Sequence, residues 1–155
     1  VCYANPCAAH HMTAPEPDGA GGGRAITEAV KEAGVGISEH THVNANDTVT
    51  GPNDKTETLA IKRAFGEDMA RKVAISSTKR MTGHMLGAAG AVEAIASVKA
   101  LETGIAPPTI GYAEPYPDCE LDYTVNKAAE RSFDVAVSTS LGFGGHNASL
   151  VFKKA

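Results

Sequence analysis

The stretch Ser76–Gly90, reading S-S-T-K-R-M-T-G-H-M-L-G-A-A-G, constrains this chain more than any other. A short apolar run, Lys72-Val73-Ala74-Ile75, leads into it and predicts a buried strand. Small residues lead out of it, and Ala91, Ala94, Ile95, Val98 and Leu101 predict a helix. Lys79 and His84 are therefore expected in the loop and first turn between a strand end and a helix. Folds that alternate strands and helices place chemistry there, because backbone donors and a helix N-terminus converge. Gly83, Gly87, Gly90 or Ala91, and Ala94 recur at helical spacing and make a nearly bare stripe. Such a stripe admits another backbone closely, at roughly 1 kcal/mol of helix propensity per glycine. The pattern also fits a plain packing helix with a surface lysine and a capping histidine, and by itself it leaves both readings open.

Around this centre the chain alternates. Val1 to Ala4 reads as the tail of a strand, and Ala8 to Gly23 as loop. Arg24 to Ala33 predicts a helix with Ile26, Ala29, Val30 and Ala33 on one face, ended by Gly34. His42 to Ala45 predicts a strand, and Lys55 to Phe65 a helix capped by Asn53 or Asp54. After the central helix, Gly104 and Pro107-Pro108 break the pattern, and Thr109 to Glu120 reads as Pro- and Tyr-rich loop. Leu121 to Val125 predicts an edge strand or extended arm. Phe133 to Thr139 and Ala148 to Phe152 predict strands flanking a glycine loop, Ser140 to Asn147. The order, roughly (β)αβαβα(β)ββ, makes an α/β layer on a mixed sheet.

Bulk properties narrow the function. A 155-residue chain with 43% apolar and 5% aromatic residues builds its core from Ala, Val, Ile and Leu. A net charge of −4 argues against a nucleic-acid binder. No apolar run approaches the roughly 18 residues of a membrane span, and there is no secretory signal pattern. The three cysteines, Cys2, Cys7 and Cys119, form no CxxC pair and read as reduced thiols of a cytoplasmic protein. Six histidines lie scattered without HExxH spacing, so no metal site is expected.

Three loops each follow a predicted strand: Val43 to Thr50, Ser77 to His84, and Gly142 to Asn147. With Ala106-Pro107-Pro108-Thr109 between the last two and His11-Met12-Thr13 near the start, their order resembles one family. It is the C-terminal half of the β-ketoacyl-[acyl carrier protein] synthases, most closely the elongating KAS II class of bacterial fatty acid synthesis. The resemblance covers essentially the whole chain, and S-T-K-x-M-T-G-H-x-L-G-A-A-G is its most specific part. It implies a thiolase-like fold, in which two similar halves pack as an αβαβα sandwich with a mixed five-stranded sheet in this half, and the protein dimerises. The implied reaction is a decarboxylating Claisen condensation. No cofactor is implied, since substrates ride on the phosphopantetheine of acyl carrier protein. His84 matches the second catalytic histidine, whose Nε2–H steadies the enolate oxygen. Lys79 matches the active-site lysine that orders the site and supports His84. Thr48 and Thr50 match the threonines that hold the phosphopantetheine arm. Phe143 matches the gate over the acyl pocket, with Gly142 and Gly144 allowing that loop to swing. Because carrier protein is acidic, Lys62, Arg63, Arg71, Lys72 and Arg80 are candidates for its docking, although ordinary solvated charge fits most of them.

Two departures qualify the resemblance. The resemblance puts the nucleophilic cysteine on a strand-to-helix turn of an N-terminal half outside this chain, and neither Cys7 nor Cys119 follows a strand and opens a helix. The chain then reads as a piece of a longer protein, or as a half living beside its complement, with a helix layer left uncovered. The family's first catalytic histidine falls at Asn46, with Asp47 where glycine is usual. An asparagine can donate a hydrogen bond to an oxyanion but cannot carry a proton, so slowed catalysis is expected. The second reading is a non-condensing partner subunit of the chain-length-factor kind, which Asn46 favours; Lys79, His84 and the glycine loop favour the enzyme.

Overall fold

The computed structural model describes residues 1–46, 51–114, 117 and 119–155. The chain runs β1 (Cys2–Ala4), α1 (Ala20–Ala33), β2 (Thr41–Asn44), α2 (Gly51–Phe65) and α3 (Glu67–Ala70). It continues through β3 (Ala74–Ser76), α4 (Lys79–Thr82), a 3-10 turn at Leu86–Ala88, and α5 (Ala89–Thr103). A small ribbon, β4 (Ile105–Ala106) with β5 (Ala129–Glu130), precedes β6 (Val135–Leu141) and β7 (Asn147–Lys153). Five strands form one mixed sheet in the order β1-β7-β6-β2-β3. β2 pairs parallel with both β3 and β6, whereas β7 is antiparallel to β6 and β1. The expected mixed five-stranded sheet is what forms.

Strand alternation sends side chains to two different layers. Val43, Ile75, Val135, Val137 and Val151 face one side and pack with Ile26 and Ala29 of α1 and Ile61 of α2. Ala74, Ala136 and Phe152 face the other and pack with Ala100 and Leu101 of α5. The sheet is thus sandwiched between the α1/α2 pair and α5. The arm from Leu121 to Val125 forms no regular strand, but it shields the exposed edge of β3, where Ile75 N–H donates to Asp122 O at 2.8 Å.

Two expectations about glycine change. Helix α1 begins at Ala20 and absorbs Gly21, Gly22 and Gly23, a stretch that the sequence reads as loop. Tertiary packing overrides propensity here. A Cβ on Gly22 would meet Ala60 Cβ at 3.0 Å, and one on Gly23 would meet Ala60 O at 3.2 Å. The triplet therefore lets α1 lie directly on α2. Conversely, Gly83, Gly87 and Gly90 have nothing within 4 Å of an added Cβ. The bare stripe of the central motif meets no other element among the described residues. Helix α5 instead buries Ala89, Glu93, Ser97, Ala100 and Leu101, and leaves Ile95 62% exposed.

Gly19 sits at φ +70°, and a Cβ there would lie 2.7 Å from both Ala60 N and Thr56 O. Gly19→Ala should therefore cost about 2–3 kcal/mol by combining backbone strain with overpacking; a urea midpoint within error of wild type contradicts this. His42 supplies a second test. It is fully buried on β2 against Phe133, its Nε2 lies 2.8 Å from Ser76 Oγ, and burial lowers its pKa to about 4. The unfolded histidine takes up a proton near its ordinary 6.5, so folding stability is full above that pH and falls as pH drops toward 4. A shift of this size is worth about 3 kcal/mol. Burial raises the Glu93 pKa and so acts in the opposite sense on acidification. The measurement is therefore the difference between wild type and His42→Gln, whose denaturation midpoint should depend less on pH between 6.5 and 4.

Candidate functional site

The parallel register of three strands assembles the site. Asn44 of β2 stands opposite Ser76 of β3 and Ser138 of β6. All three strands therefore end at the same edge of the sheet, and the segments holding Asn46, Lys79 and Phe143 leave from that edge.

Lys79 opens α4 immediately beyond β3, and Gly83, at φ +75°, ends that single turn. The lysine is buried at 7% exposure, and Glu93 of α5 at 2%. Lys79 Nζ donates to Glu93 Oε1 at 2.5 Å and to Asn46 Oδ1 at 3.4 Å. Burial pushes the Glu93 carboxyl above its ordinary range, while the hydrogen bond and charge of Lys79 pull it back down. Asn44 binds the surrounding backbone together: its amide donates to Thr78 Oγ1 and Glu93 O, both at 3.3 Å.

Asn46 is held from three sides. Its backbone N–H donates to Glu57 Oε1 at 2.7 Å, its Oδ1 faces the lysine, and its Nδ2 donates to Asn53 Oδ1 at 3.4 Å. The carbonyl end of the amide thus meets the ammonium, and the donor end points at Asn53. His84 is exposed, and Leu86 N–H donates to its Nδ1 at 3.1 Å. A ring nitrogen that accepts carries no proton, so the neutral ring presents Nε2–H outward. Among the described residues Lys79 makes no hydrogen bond to His84; the lysine's carboxylate partner is Glu93.

Phe143 is 75% exposed at the tip of its loop. Gly144 and Gly145 both adopt φ +77°. A Cβ on Gly145 would lie 1.8 Å from Ala8 O, so the N-terminal segment presses directly on the loop. Ala8 N–H donates to Gly145 O at 2.8 Å, and Gly144 N–H donates to Met12 O at 2.7 Å. Thr48, Thr50 and Asp47 lie outside the described residues. Of the candidate docking cations, Lys62 and Arg71 share Glu120 at 2.6 and 2.7 Å, and Arg63 binds Asp18 at 2.9 Å. These three are partnered within the chain.

Sequence reading did not find Glu93 or Glu57. The available signal was for Glu93 alone, a carboxylate flanked by Val92, Ala94 and Ile95 in an alanine-rich helix, where a charge is costly unless it is partnered. Glu93→Ala would leave the Lys79 ammonium buried without its carboxylate, at a cost of about 3–5 kcal/mol. Glu93→Gln, which still offers an oxygen, should cost clearly less; equal losses by thermal or urea unfolding contradict the pairing.

Residues 2–113 match the family model described as "Beta-ketoacyl synthase, C-terminal domain". The 3-oxoacyl-[acyl-carrier-protein] synthase 2 of Synechocystis is 49% identical over 154 residues, covering 99% of this chain and 37% of that protein. The synthase of the same name from Staphylococcus aureus is 46% identical, with the same coverage. A solved structure of a type II PKS acyl-carrier protein in complex with its ketosynthase superposes with a TM-score of 0.94 at 36% identity, over 99% of this chain and 38% of that one. The chain spans little more than a third of the length of the curated relatives it matches. Fold and likeness agree: this chain belongs to the beta-ketoacyl synthase family, as a C-terminal portion of the KAS II type.

Proposed function

We propose that the protein carrying this chain is a 3-oxoacyl-[acyl carrier protein] synthase of fatty acid biosynthesis, and that this chain supplies the lysine and histidine side of its active site. The observation that carries the reading is the buried Lys79–Glu93 pair with Asn46 against it, beside a histidine whose Nε2–H is free to donate. When a malonyl thioester loses carbon dioxide, the electrons of the broken C–C bond move onto the thioester oxygen as an enolate. His84 Nε2–H hydrogen-bonds that oxygen and lowers the barrier. The enolate carbon then attacks an acyl thioester held on a cysteine of the N-terminal half, and the cysteine thiolate leaves. Thr48 and Thr50 hold the phosphopantetheine arm of the acyl carrier protein, and Phe143 gates the acyl pocket between Gly142 and Gly144.

The N-terminal half covers the outer side of α5, where Leu86, Ile95 and Val98 are exposed beside the open glycines. This chain by itself therefore does not condense. The working form is a cytoplasmic homodimer that meets acyl carrier protein, a partner that the carrier-bound ketosynthase among the structural relatives supports. A chain-length-factor-like subunit is the second reading and rests on Asn46, which cannot cycle a proton. The 46–49% identity to proteins named as synthases supports the enzyme over that partner.

Asn46→His in the whole protein tests the assignment. Restoring an imidazole beside Lys79 should raise the condensation rate by well over tenfold, since an oxyanion-site donor is worth about 3–4 kcal/mol. An unchanged rate removes Asn46 from the reacting centre.

A further inference from the structure

Glu57 brings into the site a strand position that none of the sequence motifs includes. The glutamate is 4% exposed on α2, and its Oε1 accepts two hydrogen bonds of 2.7 Å, from Asn46 N–H and from Thr139 Oγ1. Thr139 is 2% exposed on β6, and its hydroxyl also lies 3.4 Å from Asn44 O. One hydroxyl carries one proton, so the nearer carboxylate takes it. Two donors on one oxygen fix the carboxylate in place. The bonded series continues from Asn46 Oδ1 to Lys79 Nζ at 3.4 Å, and from Lys79 Nζ to Glu93 Oε1 at 2.5 Å. It joins β6, α2, the segment after β2, α4 and α5, with Thr139 anchoring it on the strand that also leads into the Phe143 loop.

We propose that Thr139 is a positioning residue. Through Glu57 it fixes the backbone of Asn46, and with it the amide that faces Lys79. Thr139 touches no reacting group. A packing role needs only the β-branched shape, which valine reproduces, whereas the geometry here uses the hydroxyl. The kinetic consequence rests on the ketosynthase reading above; the structural consequence does not.

The test uses the whole protein with Thr139→Val and Thr139→Ser. Valine should lower kcat for condensation about tenfold with little change in KM for the malonyl carrier, as expected for misplacement at a reacting centre. Serine should restore kcat to within about twofold of wild type. In parallel, hydrogen exchange at the Asn46 amide should speed up about tenfold in the valine variant but not in the serine variant. The neighbouring Ala45 amide, which donates to Ser76 O, reports any general loosening and should stay unchanged. A valine variant with wild-type kcat, or with unchanged Asn46 exchange, overturns the proposal, as does equal damage from valine and serine. If the wild-type protein condenses nothing, the ketosynthase reading fails, and exchange at Asn46 decides the role of Thr139 alone. Should valine prevent folding, alanine removes the same hydroxyl and is read the same way.

Discussion

A lysine and a glutamate, both more than nine-tenths buried and 2.5 Å apart, set the terms for everything around them. Removing two charges from water costs several kcal/mol each, and their attraction repays this only when the geometry is good and their remaining bonding capacity is used. The fold meets that demand with short connections. Lys79 stands three residues beyond β3, and Glu93 lies on the buried side of α5. Asn46 supplies the lysine with a second oxygen. Glu93 Oε2 remains without a hydrogen-bond partner among the described residues, which agrees with burial being the dominant influence on that carboxyl. Such a pair adds little to stability compared with an apolar core. Its value lies in holding a charge at one place.

The two faces of the sheet divide the work accordingly. The α1/α2 face is mainly aliphatic, with the Thr139–Glu57 hydrogen bond at the end nearest the site, and the glycines of α1 lie directly on Ala60. The α5 face mixes Ala74, Ala136 and Phe152 with the buried polar residues His42, Asn44, Ser76, Ser138 and Ser97. The polar groups on this face bond one another or the backbone, as in His42 to Ser76 and Ser97 Oγ to Glu93 O. The aliphatic face supplies most of the driving force for folding, and the polar face fixes the orientation of the strand ends that carry the site.

The five strands of the main sheet, their mixed pairing and the placing of Lys79 and His84 between a strand and a helix were legible because alternation, glycine stops and one long motif all point the same way. What was not legible depends on contacts between segments far apart in sequence. Gly21 to Gly23 look like loop until Ala60 is seen beneath them. The Ser76–Gly90 glycines suggest a packed stripe, yet that face is open in this chain and α5 turns Glu93 and Ser97 inward instead. No local pattern links Glu57 to Asn46 or to Thr139, which lie 11 and 82 residues away. The basic residues read as a docking patch are largely occupied by Glu120 and Asp18, which a count of charges does not reveal.

The most direct test of the central claim is the release of carbon dioxide from malonyl-carrier protein by the whole protein, compared between wild type and His84→Ala. This step needs the enolate donor but not the acylated cysteine, so it isolates what this chain contributes. Release that depends on carrier-bound malonate and is lost with the histidine is the predicted result. Release that is unaffected by removing His84, or no release from the wild-type protein, contradicts the account.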